Sequence, residues 1–124
     1  RMKSPLPKVL HPVAGVPIVK KAIDAVREAG ASEVRVVVGH GEALVRRVVE
    51  PLGATCYAQA NQWGTADAVK SADPGSLKGD VIILNGDHPL LTAEHIKAIL
   101  SEHRTSGAAI SVVTSELKKP GSLG

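Results

Sequence analysis

The apolar residues change period again and again along the chain, and that alternation admits few folds. Ile18, Val19, Ala22, Ile23 and Val26 recur at helical spacing with Lys20, Lys21, Asp24, Arg27 and Glu28 between them, and Gly30 supplies a stop. Val34 to Val38 follows as a β-branched run of strand length. Leu44, Val45, Val48 and Val49 form a second helical stripe, ended by Pro51. Ala54 to Ala58 reads as a weaker strand, and Thr65 as the N-cap of a helix through Ala72. Val81 to Leu84 reads as a strand running into Asn85-Gly86-Asp87. Thr92 caps a fourth helix with Ile96, Ile99, Leu100 and His103 on one face, and Ala109 to Thr114 reads as a last strand. Helix and strand in this alternation predict the α/β class, a mostly parallel sheet with helices on both faces. Such sheets bind ligands beyond the carboxyl ends of their strands, where Gly39-His40-Gly41 and Gly86-Asp87 fall.

A chain of 124 residues suffices for one domain, taken as 1–124. It is 44% apolar yet has one Trp, one Tyr and no Phe, so its core must be aliphatic. Fifteen Lys and Arg against 12 Asp and Glu leave a charge of +3, too mild and too scattered to predict a nucleic-acid partner. Cys56 stands alone, which excludes an internal disulfide and fits a reducing compartment. No apolar run nears the ~18–20 residues of a membrane span, and no charged-then-apolar leader opens the chain. The expectation is a cytoplasmic protein that engages no membrane. Opening on Arg1 and stopping at Gly124, the chain reads as part of a longer one.

Three segments have residue types suited to phosphate and nucleotide chemistry. Asp87 follows an apolar run and a glycine, a setting for a Mg²⁺ ligand or equally for a turn-capping carboxylate. Arg1, Lys3 and Lys8 lie in a stretch with Pro5, Pro7, Pro12 and Pro17, an irregular loop pinned by Val9, Leu10 and Val13. Its cations suit a polyphosphate, or simply solvent. Gln59 to Thr65 offers amide groups that match a nucleobase edge, a glycine for close approach and a hydroxyl, or else a polar loop with a cap. The histidines have no metal-ligand spacing, and Cys56 has no adjacent base.

In this order the segments resemble a known family. Arg1-Met2-Lys3-Ser4-Pro5-Leu6-Pro7-Lys8-Val9-Leu10-His11-Pro12-Val13-Ala14-Gly15 is similar to the signature loop of bacterial N-acetylglucosamine-1-phosphate uridylyltransferases. These form the amino-terminal half of a bifunctional enzyme that also carries a glucosamine-1-phosphate acetyltransferase. The likeness continues through Val38-Gly39-His40-Gly41, Gln59 to Thr65 and Gly86-Asp87-His88-Pro89-Leu90-Leu91. It implies a Rossmann-like nucleotidyltransferase fold and uridylyl transfer from UTP to N-acetylglucosamine 1-phosphate, a cell-wall precursor step that releases pyrophosphate. It assigns Arg1 and Lys8 to the triphosphate as catalytic cations. Lys8, Gln59, Gly64, Thr65 and Gly86 fall in the nucleotide site, Asp87 on Mg²⁺ and Gly124 on the sugar. Homotrimerisation is implied through a region outside this chain.

The chain also departs from the family pattern. The family opens with a strand and a Gly-rich loop, of which only the final Arg stands here. That strand belongs mid-sheet. Without it, buried unpaired backbone groups would cost about 1–3 kcal/mol each against a net stability of about 5–15 kcal/mol, so it is expected ahead of Arg1. Leu123 stands where a Tyr is usual, and His88 where Val or Thr is usual. Transfer of another nucleotide or to another sugar phosphate, or nucleotide binding without chemistry, are the alternatives.

Overall fold

The computed structural model describes residues 4–61 and 63–114. Its first segment is more ordered than its prolines suggest. Lys8–Leu10 forms a 3₁₀ turn, and Pro12–Val13 (β1) and Val16–Pro17 (β2) pair antiparallel. The two-residue connection Ala14-Gly15 has φ of +53° and +77°, the left-handed pair that suits a tight hairpin. The prolines fall at the hairpin's outer ends, and Ile18 N–H closes it onto His11 O at 3.1 Å. Leu10 is buried, whereas Val13 is exposed, a correction to its expected role as an anchor.

Helix α1 (Ile18–Glu28) buries Ile18, Val19, Ile23 and Ala25. It ends as Gly30 predicts. Gly30 N–H donates to Arg27 O and Ala31 N–H to Val26 O, the paired bonds of a Schellman stop. Then β3 (Arg35–Val38), α2 (Glu42–Val49) and β4 (Thr55–Ala58) form a βαβ unit, with Arg35 opposite Thr55 and Val38 opposite Ala58 in a parallel ladder. Pro51 turns the end of α2 into the 3₁₀ turn Glu50–Leu52. Helices α3 (Thr65–Ser71) and α4 (Ala93–Ser106) complete the four. Thr92 caps α4 as its position predicts, and His95 completes a capping box that the sequence reading did not include. Thr65 does not cap α3; Gly64 holds that position and Thr65 is the first helical residue.

The core is aliphatic and joins the first 3₁₀ turn, α1, β3 and α2. Leu10, Val19, Ile23, Val38, Val45, Val49 and Ala54 form one buried cluster, and Ile96 is 1% exposed where α4 meets α1. The expected strands Val81–Leu84 and Ala109–Thr114 join no ladder among the described residues. An apolar run supplies side chains for a sheet face; only a neighbouring strand supplies the hydrogen bonds. Ile83 and Ile110 are accordingly 59% and 80% exposed. No helix among the described residues is long and apolar enough to cross a membrane.

Beside the burial of Leu10, the fit of Pro7 against Gly41 sets how the first segment meets the βαβ unit. Gly41 has φ +73°, and a Cβ there would collide with Pro7 Cγ. Gly15 shares the left-handed backbone (φ +77°) but faces open space. Urea denaturation should therefore show Gly41→Ala losing about 1–3 kcal/mol and Gly15→Ala clearly less. Equal losses would mean that Pro7 does not abut this turn.

Candidate active site

The ladder β3–β4 ends at Val38 and Ala58; Gly39-His40-Gly41 and Gln59 follow from that end, and Pro7 brings the first segment to it. Gln59 N–H donates to Val38 O at 2.8 Å, carrying the ladder one residue past β4. Gly39-His40-Gly41 turns from β3 into α2, with Glu42 N–H on Gly39 O at 3.2 Å. Pro7 rests against this turn and begins the segment whose Leu10 enters the core. Lys8 lies between them on the 3₁₀ turn, and its Nζ reaches Asp87 Oδ2 at 2.7 Å across 79 residues of sequence. Gly86 sits beside Val9, where an added Cβ would make only ordinary contact at 3.6 Å with Val9 Cγ1. Nothing else in the described chain requires a glycine at 86.

The Lys8 side chain is 63% exposed and that of Asp87 31%. The hydrogen bond from Lys8 holds the Asp87 carboxyl below the ordinary aspartate value, against partial burial, which pushes it up; the charge of Lys8 and then His88 lower it further. His88 Nε2 lies 3.7 Å from Asp87 Oδ1, so both carboxylate oxygens face potential cations. No cluster of three or more His, Cys, Asp or Glu suited to a metal occurs among the described residues. A single accessible carboxylate fits a hard divalent ion that takes its other ligands from phosphate and water.

A second group forms around Gln59. Its Nε2 donates to Asp67 Oδ2 at 2.7 Å and to Gly64 O at 3.2 Å. Gly64 has φ +111° and ψ −173°, a conformation essentially confined to glycine. Thr65 follows it, exposed at the start of α3. Arg35 ties α3 to the ladder. Its Nη1 donates to Ala72 O and Asp73 O, both at 2.7 Å, and to Ser76 Oγ at 2.9 Å. Sequence reasoning passed over Asp67 and Arg35. An acidic residue in a helix's first turn was the available signal for Asp67, and it ordinarily means only helix stabilisation. Arg1 and Gly124 lie outside the described residues.

The Lys8–Asp87 contact has a direct consequence in solution. A carboxyl whose folded value is depressed stabilises the fold above its unfolded pKa, about 3.9, and that contribution is lost as pH falls through the folded value. In Lys8→Met the Asp87 carboxyl should titrate higher than in the parent protein, followed by carboxyl-carbon NMR. Titration at an unchanged position would show that the ion pair does not form.

Comparison with known proteins identifies the family. The model of the MobA-like NTP transferase domain matches residues 1–121. The bifunctional protein GlmU of Bdellovibrio bacteriovorus is 56% identical over 124 residues, which are 100% of this chain and 27% of that protein. GlmU of Geobacillus thermodenitrificans is 45% identical over 128 residues, and that of Pelobacter propionicus 43% over 127, each covering 100% of this chain. The chain thus spans about a quarter of the length of these relatives, 27% and 28% in the last two. With the family model matching residues 1–121, the chain belongs to the MobA-like NTP transferase domains.

Proposed function

We propose that residues 1–124 belong to one nucleotidyltransferase domain that transfers uridylyl from UTP to N-acetylglucosamine 1-phosphate and releases pyrophosphate. The observation that carries this reading is the convergence of Lys8, Gly86-Asp87, Gly39-Gly41 and Gln59 at the carboxyl end of β3 and β4. That is where open α/β sheets hold nucleotides, and the similarity to GlmU proteins supports uridylyl transfer in general; the choice of sugar phosphate follows the motif resemblance.

In this reading a phosphate oxygen of the sugar phosphate attacks the α-phosphorus of UTP. A new P–O bond forms, and the bond to the β-phosphate breaks with pyrophosphate as leaving group. Such transfers depend on positioning and on offsetting charge. Lys8, with Arg1, sets positive charge against the triphosphate. Gln59 contacts the uracil, while Gly64 and Thr65 complete the nucleotide pocket. The absence of a side chain at Gly86 leaves room for the nucleotide beside Val9. Asp87 is the residue that would hold Mg²⁺, whose bound charge would offset that of the phosphates. Gly124 would contact the sugar. The domain acts in the cytoplasm, in a protein that is homotrimeric through its other region, with neither nucleic acid nor membrane as a partner.

The test is pyrophosphate release by the full-length protein from UTP, CTP, dTTP, GTP and ATP in turn, with Mg²⁺ and N-acetylglucosamine 1-phosphate. Release should be strongest with UTP and fall at least about 100-fold in Asp87→Ala, while the thermal melt is retained. Equal release from every nucleotide would overturn the uridylyl assignment. A fully active Asp87→Ala protein would remove Asp87 from the metal site.

A further inference from the structure

Gln59 carries an amide, and an amide presents a different pattern at each end. Its oxygen only accepts and its NH₂ only donates. The two ends are nearly the same size, so the surroundings decide which one faces a ligand. Around Gln59 they decide firmly. The carboxylate of Asp67, 2.7 Å away, and the carbonyl of Gly64, 3.2 Å away, are both acceptors. Rotating the amide by half a turn would set Oε1 against both of them and exchange two hydrogen bonds for two repulsive contacts. Both amide protons are therefore spent within the chain, and Oε1 is left to accept.

Asp67 is itself held in place. It lies in the first turn of α3, and Ser71 Oγ donates to its main-chain oxygen at 2.9 Å. The far end of α3 is fastened to β3 by Arg35, and β3 pairs with the strand that Gln59 extends. Gln59 and Asp67 thus meet through elements fixed to the same ladder.

We propose that Asp67 is a positioning residue for nucleotide selection: by occupying the Gln59 amide protons it makes Gln59 a pure acceptor toward the base. This rests on the reading of Gln59 as the residue that contacts uracil. An acceptor complements the N3–H of uracil or thymine. Cytosine has a lone pair at the same ring nitrogen, so CTP placed in the same register sets acceptor against acceptor. The discrimination follows from an unmatched polar contact, which rejects an analogue far more strongly than a difference in size does.

The test uses equilibrium binding of UTP, CTP and inorganic tripolyphosphate to the full-length protein by calorimetry. Asp67→Asn keeps the shape and offers a donor to Oε1, so the amide can turn; Asp67→Leu removes the acceptor. The UTP-over-CTP preference should fall about tenfold in Asp67→Asn and also fall in Asp67→Leu, with tripolyphosphate affinity unchanged. Asp67→Glu, which retains a carboxylate, should restore most of the preference. An unchanged preference in both Asn and Leu variants would overturn the proposal. So would equal weakening of all three ligands, which would mark Asp67 as structural. A parent protein that binds UTP and CTP alike would instead refute the uridylyl reading beneath it.

Discussion

Burial of Leu10 in the same aliphatic cluster as Val19, Ile23, Val38 and Val45 fastens a polar, proline-rich segment to the end of a parallel ladder. Burying a leucine side chain contributes about 1.5–3 kcal/mol, whereas an exposed ion pair contributes about 0–1 kcal/mol. The segment is therefore held by Leu10 and by the fit of Pro7 against Gly41, not by the contact of Lys8 with Asp87. That division has a functional side. The Lys8 ammonium sits where the backbone is fixed, yet its own partner is weakly held. In the proposed reading, a phosphate arriving there would draw Lys8 from Asp87 without disturbing the turn.

Polar groups organise the region around Gln59. Gly64 adopts a backbone conformation that a side chain would obstruct, and this places its carbonyl beside the Gln59 amide. Arg35 reaches three acceptors at the end of α3 and also bonds Glu33 at 2.6 Å, with its guanidinium 5.3 Å from the Tyr57 ring centre. One residue of β3 thereby couples the ladder to the helix that bears Asp67. In the proposed reading, an exposed Lys8 serves the phosphates and a doubly hydrogen-bonded Gln59 serves the base.

Much of this was legible in the order of the residues. Three helices announced themselves by stripes at helical spacing, and Gly30 and Thr92 marked ends that the structure bears out. The β3–β4 pair followed from a β-branched run at Val34 to Val38 and a weaker strand signal at Ala54 to Ala58, on either side of a helix. Val81–Leu84 and Ala109–Thr114 are likewise rich in β-branched residues, as β3 is, but join no ladder among the described residues, because pairing depends on a partner's backbone and not on the run itself. The β1–β2 hairpin was hidden by Pro12 and Pro17, which serve there at outer positions. Site residues were harder to read. Lys8 and Asp87 are far apart in sequence, and only the family resemblance joined them before the fold did. Asp67 was missed because its role lies in one side chain's orientation, which no spacing encodes.

All of this comes down to whether the first segment, the ends of β3 and β4, and the Gly86-Asp87 turn form one nucleotide site. Backbone amide NMR of the full-length protein, titrated with UTP in the presence of Mg²⁺, addresses that question residue by residue. Lys8, Gly41, Gln59, Gly64, Gly86 and Asp87 should shift together with one dissociation constant. Shifts confined to one of these groups, or six that saturate at different concentrations, would contradict a single site.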